Sequence, residues 1–109
     1  MTIDWQPAEH PLRHEIKPSQ STRYRAFQAY VQGFQLDVYY DPNRETGRNW
    51  WWETGFCWAY PAGIEPGQAV TKGRSVSEES ARADAEAAFF RMAAYVLPAI
   101  ERERDGAAI

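Results

Sequence analysis

The residues with the strongest nucleophilic and metal-binding chemistry are one cysteine, Cys57, and two histidines, His10 and His14. The histidines are four residues apart, a spacing that places two imidazoles on one helical face, but Pro11 disfavours a helix there. A zinc site usually needs three or four protein ligands, and no cysteine or carboxylate pair completes this one. We therefore expect two exposed histidines, with no bound metal and no other cofactor.

Catalysis through Cys57 would require a histidine as base and a carboxylate such as Asp37 or Asp41 to orient it. Nothing in the sequence places these groups together, and a thiol within an aromatic strand more often behaves as a small buried hydrophobic group. The chain also contains no glycine-rich phosphate loop, no Gly-x-Ser-x-Gly and no His-Glu-x-x-His. The sequence therefore favours a binding protein over an enzyme.

Recognition by aromatic side chains is the better-supported chemistry. Aromatic residues make up 15% of the chain, with five Trp, and such residues dominate the energetics of interfaces. We predict that rings and two acidic residues share the outer face of a sheet, beside arginines of a polar loop. The candidate partner-binding residues are Tyr24, Tyr30, Tyr39, Trp51, Asp37, Glu53, Arg44 and Arg48. Two readings stay open: these rings contact a partner, or the N-terminal segment covers them.

A β-hairpin is the first element that must position these residues. Gln32-Gly33 divides a β-type stretch into residues 24–31 and 34–40, which predicts a two-residue turn. With that turn Val31 faces Phe34, and almost every aliphatic side chain of the hairpin falls on one face. That face is predicted to be the core face, and the tyrosines lie on the other.

Residues 49–60 predict a third strand, because they are rich in Trp and Phe. Alternation places Trp51, Glu53 and Cys57 on the outer side. It places four aromatic residues on the core side: Trp50, Trp52, Phe56 and Trp58. After a loop rich in proline and glycine, residues 68–74 form a candidate edge strand.

The C-terminal part of the chain predicts one long helix. Ser77 can cap its N-terminus, and Glu78 and Glu79 complement the helix dipole. Apolar residues recur at spacings of three and four: Ala81, Ala85, Ala88, Phe89, Met92, Val96 and Ile100. Pro98 is expected to kink or end the helix near Leu97, leaving residues 101–105 as a charged extension.

These elements predict an α+β fold in which an antiparallel sheet of three to four strands packs on one long C-terminal helix. Residues 1–20 are expected to form an extended arm, residues 21–105 a single domain, and residues 106–109 a frayed tail. Hydrophobic residues at 44% and charged residues at 25% are typical of a globular protein. The single cysteine and the charged first twenty residues, which resemble no signal peptide, lead us to expect a cytoplasmic protein without membrane contact.

Single-stranded nucleic acid is the alternative partner. Basic residues are expected at strand ends and loops of the sheet, where rings such as Trp51 and Tyr39 could stack on bases. These residues are Arg23, Arg25, Arg44, Arg48, Lys72 and Arg74. The net charge of −3, with Asp37 and Glu53 on the same face, opposes a phosphate backbone. Nucleic acid therefore ranks below protein as the partner.

One stretch has a counterpart in other proteins. The residues from Gly73 to Ala81, GRSVSEESA, followed by Ala85-Glu86 and placed after a Trp-rich strand, resemble the ending of many small sheet-then-helix proteins carried by bacteria, phages and plasmids. The resemblance covers a strand-to-helix junction with a generic cap, so it implies a fold type and no activity. Small acidic proteins of that kind, including the anti-CRISPR inhibitors, commonly act by binding a larger partner.

The leading hypothesis is therefore a non-enzymatic protein-binding module, an inhibitor or accessory protein of a phage or mobile element that blocks or recruits a larger protein or complex. A homodimer is a further alternative.

Overall fold

The architecture comes from a computed structural model that describes residues 2–9, 25–40 and 49–107. Five strands form one antiparallel sheet in chain order, and a long helix packs on one face of it. The elements are β1 Gln6–Glu9, β2 Arg25–Val31, β3 Phe34–Tyr40, β4 Trp50–Phe56, α1 Pro66–Ala69, β5 Val70–Ser75 and α2 Glu78–Ala107. The predicted α+β class is confirmed, with one strand more than the upper prediction.

The β2–β3 hairpin turns at the predicted residues. Gln32 and Gly33 both have positive φ angles, 49° and 86°, which match the turn type that suits the twist of two paired strands. Val31 faces Phe34, so the predicted register is confirmed. A Cβ at Gly33 would lie 2.8 Å from the Phe56 ring, and glycine is therefore required here for space as well as for backbone angle.

The core lies between the sheet and α2. Phe34 is at its centre, with ring centroids 5.1 Å from Phe56 and 5.3 Å from Phe89 of the helix. Thr54 is the fully buried polar side chain of β4, and its Oγ1 donates a 2.8 Å hydrogen bond to the carbonyl oxygen of Ala85. That bond ties the middle of the sheet to α2 without leaving the hydroxyl unsatisfied.

Helix α2 begins after the predicted cap. The Ser77 hydroxyl accepts a 3.1 Å hydrogen bond from the Ser80 backbone amide, as a capping residue does. Pro98, expected to kink or end the helix, does not end it, because α2 continues to Ala107, and the kink stays a prediction. Pro98 and Ala94 are both exposed, so the carbonyl that loses its amide partner can bond to water. Farther on, Glu103 accepts a 2.6 Å bond from the Ala62 amide, which holds the last turns.

Two expectations for the third strand are wrong. β4 ends at Phe56, and the Cys57 amide makes the last contact with the hairpin, a 2.8 Å bond to the Gly33 carbonyl. The chain then bends, so Trp58 is 64% exposed instead of joining the core. Cys57 is likewise exposed instead of buried. Alternation placed Cys57 on the outer side correctly, but it could not show that Trp58 leaves the core, because β4 ends where the β3 strand that it pairs with begins.

The described N-terminal residues join the sheet and the helix. β1 pairs with β2, and Ile3 is buried in the core. The Trp5 indole donates a 3.3 Å hydrogen bond to the Glu86 carboxylate on α2. This part of the predicted arm therefore contacts the helix side of the sheet. At the other edge, the predicted strand over residues 68–74 begins later, because Gln68 and Ala69 belong to α1.

Candidate functional site

The candidate site is the outer face, which we define as the sheet face opposite α2. Cross-strand pairing arranges its side chains in three rows. The first row is Tyr30, Gln35, Gly55 and Val70; the second is Gln28, Asp37, Glu53 and Lys72; the third ends in Tyr39, Trp51 and Arg74. Within residues 2–9, 25–40 and 49–107, no element packs across these rows.

The third row is an aromatic ladder ending in a cation. The Tyr39 and Trp51 rings are nearly parallel, with centroids 6.2 Å apart and an interplanar angle of 7°. Arg74 of β5 places its guanidinium carbon 4.1 Å from the centroid of Trp51. Parallel offset rings and a cation over an indole are both favourable arrangements. The row therefore presents a preorganised surface in which little side-chain freedom remains to be lost on binding.

The second row carries the charge. Asp37 and Glu53 are directly opposite each other in the β3–β4 pair, and Lys72 follows on β5. Gln35 donates to both carboxylate oxygens of Asp37, at 3.2 and 3.0 Å, which fixes that carboxylate in place. Like charges opposite each other disfavour the sheet slightly. The second row therefore places two carboxylates beside the aromatic row, with the Lys72 ammonium group next to Glu53 on β5.

These rows surround a half-open concavity of about 510 Å³. Asp37, Tyr39, Trp51 and Glu53 line it together with Cys57, which lies just beyond the end of β4. The volume is within the usual range for small-ligand pockets, about 300–1,000 Å³, but the site is half-open rather than enclosed. A depression of this kind can receive a side chain that projects from a partner's surface.

The thiol of Cys57 is the reactive group of this concavity. It contacts the Gln35 amide oxygen at 3.9 Å and the Gly55 carbonyl oxygen at 3.6 Å. Neither oxygen is a base that could take the thiol proton. Both histidines of the chain, His10 and His14, lie outside the described residues. Among the described residues, the Cys57 thiol therefore has no general base within hydrogen-bond distance.

Five of the eight residues predicted for partner binding lie on the outer face. Tyr39, Trp51, Asp37 and Glu53 are brought together around the concavity, while Tyr30 lies in the first row and is 70% exposed. Tyr24, Arg44 and Arg48 lie outside the described residues.

Sequence reasoning left out of that set three residues that the structure adds: Arg74, Lys72 and Gln35. The alternating pattern of residues 68–74 was the signal for Arg74 and Lys72. The register of this edge strand against its neighbour could not be predicted, because the sequence of the preceding loop does not show where the strand begins.

The structure adds no evidence for a metal site among the described residues. The described part of the chain has no group of three or more His, Cys, Asp or Glu side chains that could hold a metal ion. The two histidines at positions 10 and 14 are outside that part, so the expectation for them stays a prediction.

No protein-family model, curated protein or solved structure matches this chain. None of the helices among the described residues combines the length and the hydropathy that a bilayer crossing requires.

Proposed function

We propose that this protein is a non-enzymatic protein-binding module whose outer face contacts a larger protein. The observation that carries the proposal is that the Tyr39 and Trp51 rings and the carboxylates of Asp37 and Glu53 line one concavity. Arg74 adds a guanidinium over the Trp51 ring beside it. Tyr, Trp and Arg are the residues most enriched at the energetic centres of protein interfaces. Such a module acts as an inhibitor or accessory factor by occupying a surface of its partner.

The charge pattern supports a protein over a phosphate backbone. Asp37 and Glu53 are in the middle row, so a strand of nucleic acid laid along the aromatic row would approach two carboxylates. The net charge of the whole chain, −3, adds to that repulsion. A protein surface carrying an arginine or lysine is complementary to the same pair.

The test compares folded variants of the outer face. Tyr39→Ala and Trp51→Ala are each expected to weaken partner binding by about 1 kcal/mol or more, roughly a fivefold rise in Kd. Tyr60→Ala is the matched control, since Tyr60 is also exposed but belongs to the loop after β4. Partners captured by the tagged protein would be identified by quantitative mass spectrometry, and their affinities measured by calorimetry with purified components.

Cys57 provides an independent readout of the same face. It is the single cysteine of the chain, it is exposed, and it lines the concavity. A bound partner is expected to slow alkylation of this thiol by iodoacetamide. If both ring variants bind the partner at full strength and alkylation is unchanged in the complex, the outer face is not the binding surface.

Single-stranded nucleic acid remains a second candidate because of one observation, the guanidinium of Arg74 over Trp51 next to the parallel ring of Tyr39. Proteins that bind single strands combine stacking rings with basic side chains in this way. Fluorescence anisotropy with a labelled oligo(dT) separates the two candidates. Phosphate contacts lose affinity steeply with salt, whereas an aromatic protein interface does not. Micromolar binding that falls steeply with salt and is lost in Arg74→Met would favour nucleic acid.

A further inference from the structure

The two edges of the sheet differ in how far they are closed to a further strand. β1 and β5 are the edge strands, because the strands follow one another in chain order. β1 has four residues, one of them Pro7, which has no amide hydrogen. Short strands and proline are two of the ways in which natural sheets close an edge. β5 has six residues and no proline, so its edge has neither of these protections.

The hydrogen-bond pattern of the sheet determines which main-chain groups of β5 are directed to its free edge. The Cys57 amide bonds to the Gly33 carbonyl at 2.8 Å, so every second residue of β4, counted back from Cys57, bonds to β3. The remaining residues of β4 bond to β5 instead. Their partners on β5 are Thr71, Gly73 and Ser75. Lys72 and Arg74 alternate with these partners, so their amides and carbonyls are directed away from β4.

Val70 agrees with this alternation. Its amide bonds to the carbonyl of Pro66 in α1, so it is directed away from β4 in the same way. Among the described residues, no strand follows β5 in the sheet, and no main-chain bond from a turn or loop reaches Lys72 or Arg74. The amides and carbonyls of these two residues are therefore arranged as a strand presents them to its neighbour.

The outer-face side chains at this edge are cationic. Lys72 and Arg74 both lie on the outer face, and neither makes a salt bridge within the part of the chain that the structure describes. Glu53 is opposite Lys72 on β4. An added strand would lie one strand spacing from Lys72, about 4.8 Å, and two spacings from Glu53. Carboxylates on the outer face of that strand would therefore be attracted more strongly than they are repelled.

The inner-face side chains at this edge favour uncharged neighbours. Thr71, Gly73 and Ser75 alternate to the inner face, the one that packs on α2. The Ser75 hydroxyl donates a 2.7 Å hydrogen bond to the carboxylate of Asp84 on α2. A second carboxylate placed beside Ser75 would approach Asp84 and be repelled. The edge thus selects a strand that is acidic on one face and uncharged on the other.

A second copy of β5 does not fit this edge. In an antiparallel pair of two β5 strands, Lys72 and Arg74 of one copy would lie opposite the same cations of the other. Like charges directly opposite each other destabilise a strand pair. Charge complementarity therefore selects a foreign strand that carries carboxylates.

We propose that β5 accepts an extended acidic segment of another protein as an additional antiparallel strand, with carboxylates two residues apart beside Lys72 and Arg74. The antiparallel direction continues the pattern of the sheet and gives the more stable pairing. Main-chain bonds provide affinity in this mode of recognition, and alternate side chains provide specificity. The inference goes beyond the proposed function, because the edge of β5 and the concavity can each be occupied without the other.

Synthetic peptides test the arrangement on the intact protein. The probe is a fluorescein-labelled peptide of about eight residues in which Glu and Thr alternate, a typical strand length. Fluorescence anisotropy is expected to give a Kd below about 1 mM, and a peptide with Lys in place of Glu should bind at least about tenfold more weakly.

N-methylated peptides test the strand pairing itself. In the antiparallel arrangement, the peptide amides that face β5 belong to residues on the outer face, which are the glutamates. Methylation of two central Glu amides should raise the Kd at least about tenfold. Methylation of two central Thr amides, which face away from β5, should leave the Kd within about threefold.

Variants of β5 provide a second test. Lys72→Pro removes the amide that faces the free edge together with the charge, and such a position tolerates proline. Lys72→Ala removes the charge alone. We expect the Glu-Thr peptide to bind at least about tenfold more weakly to the first variant and about threefold more weakly to the second. Tyr39→Ala alters the concavity on β3 and should leave the peptide Kd unchanged, which separates this inference from the proposed function.

The outcomes that contradict the proposal are distinct from one another. No binding at about 1 mM peptide, equal affinity for the Lys peptide, or equal effects of the two methylations would each overturn it. So would loss of binding in Tyr39→Ala, or a Lys72→Pro variant that binds as well as Lys72→Ala. Circular dichroism confirms that each variant is folded, and the methylated peptides test the unaltered protein if Lys72→Pro does not fold.

Discussion

Trp51 and Trp52 are neighbours in sequence, yet they lie on opposite faces of the sheet and contact different residues. Trp52 packs against the core and covers Gly73, whereas Trp51 lies between Tyr39 and Arg74 on the outer face. The inner face is mostly apolar, and the outer face interleaves rings with charges. The difference teaches that strand alternation separates the residues that hold the fold from those available for recognition. Mutations on the two faces should therefore differ in their effect on stability.

The largest expected difference is between Phe89→Ala and Tyr30→Ala. Phe89 contacts Phe34 in the core, and removing its ring leaves a cavity that costs about 3–5 kcal/mol of the free energy of unfolding. Tyr30 is 70% exposed, so its removal should change that free energy by less than about 1 kcal/mol. Urea denaturation of both variants measures the contrast. Equal losses would mean that the two faces are not distinct.

Two glycines in neighbouring strands give the next contrast. A Cβ at Gly73 would lie 2.7 Å from the indole nitrogen of Trp52, so Gly73→Ala must displace that half-buried ring and should cost about 1–3 kcal/mol. A Cβ at Gly55 would point to the outer face and meet Val70 at an ordinary 3.4 Å. Gly55→Ala should therefore stay within about 0.5 kcal/mol of the original protein. If Gly55→Ala lowered the denaturation midpoint and Gly73→Ala did not, Gly55 and not Gly73 would face the core.

A smaller effect is expected from the buried hydroxyl of Thr54. Thr54→Val keeps the shape but removes the hydrogen bond to the Ala85 carbonyl, which should cost about 0.5–1.5 kcal/mol. Glu53→Gln, one residue earlier and on the outer face, is the matched control and should leave stability within about 0.5 kcal/mol. Thermal melts of the two variants make the comparison. A Thr54→Val variant as stable as the original would show that this bond does not hold β4 to α2.

The success of sequence reasoning followed the strength of the local signals. The hairpin register was predictable, because a two-residue turn at Gln32-Gly33 combined with alternation permits one pairing. That register also predicted that Tyr39, Trp51, Asp37 and Glu53 share one face, because side chains of β4 alternate between the faces in the same way. The candidate site was therefore largely predictable as a set of positions, although its role in binding stays a prediction.

The unpredicted parts depend on contacts between distant segments. β1 has four residues with no alternating pattern, and it forms because β2 offers a free edge. Ile3 and Trp5 belong to no apolar repeat in the sequence, and only the position of α2 explains where they pack. The exposure of Trp58 depends on where the hairpin ends, at the Gly33 carbonyl. Local propensity contains none of this information.

The smallest expected effect concerns the contact between Arg74 and Trp51, and it sharpens the comparison most. A guanidinium 4.1 Å from an indole centroid at a half-buried surface site should contribute about 0.5–1 kcal/mol. A double-mutant cycle of Trp51→Leu and Arg74→Met isolates that energy, because each single variant keeps much of its side-chain volume and removes one partner. The same cycle with Lys72→Met is the control, since Lys72 belongs to the neighbouring row, opposite Glu53. A coupling energy in the Arg74 cycle but not in the Lys72 cycle means that Arg74 is held over the ring before any partner arrives, so the partner meets a preformed aromatic and cationic surface. Equal coupling energies in both cycles would instead indicate a general electrostatic effect across the outer face. The contact between Arg74 and Trp51 would then not make the aromatic row a preformed binding surface.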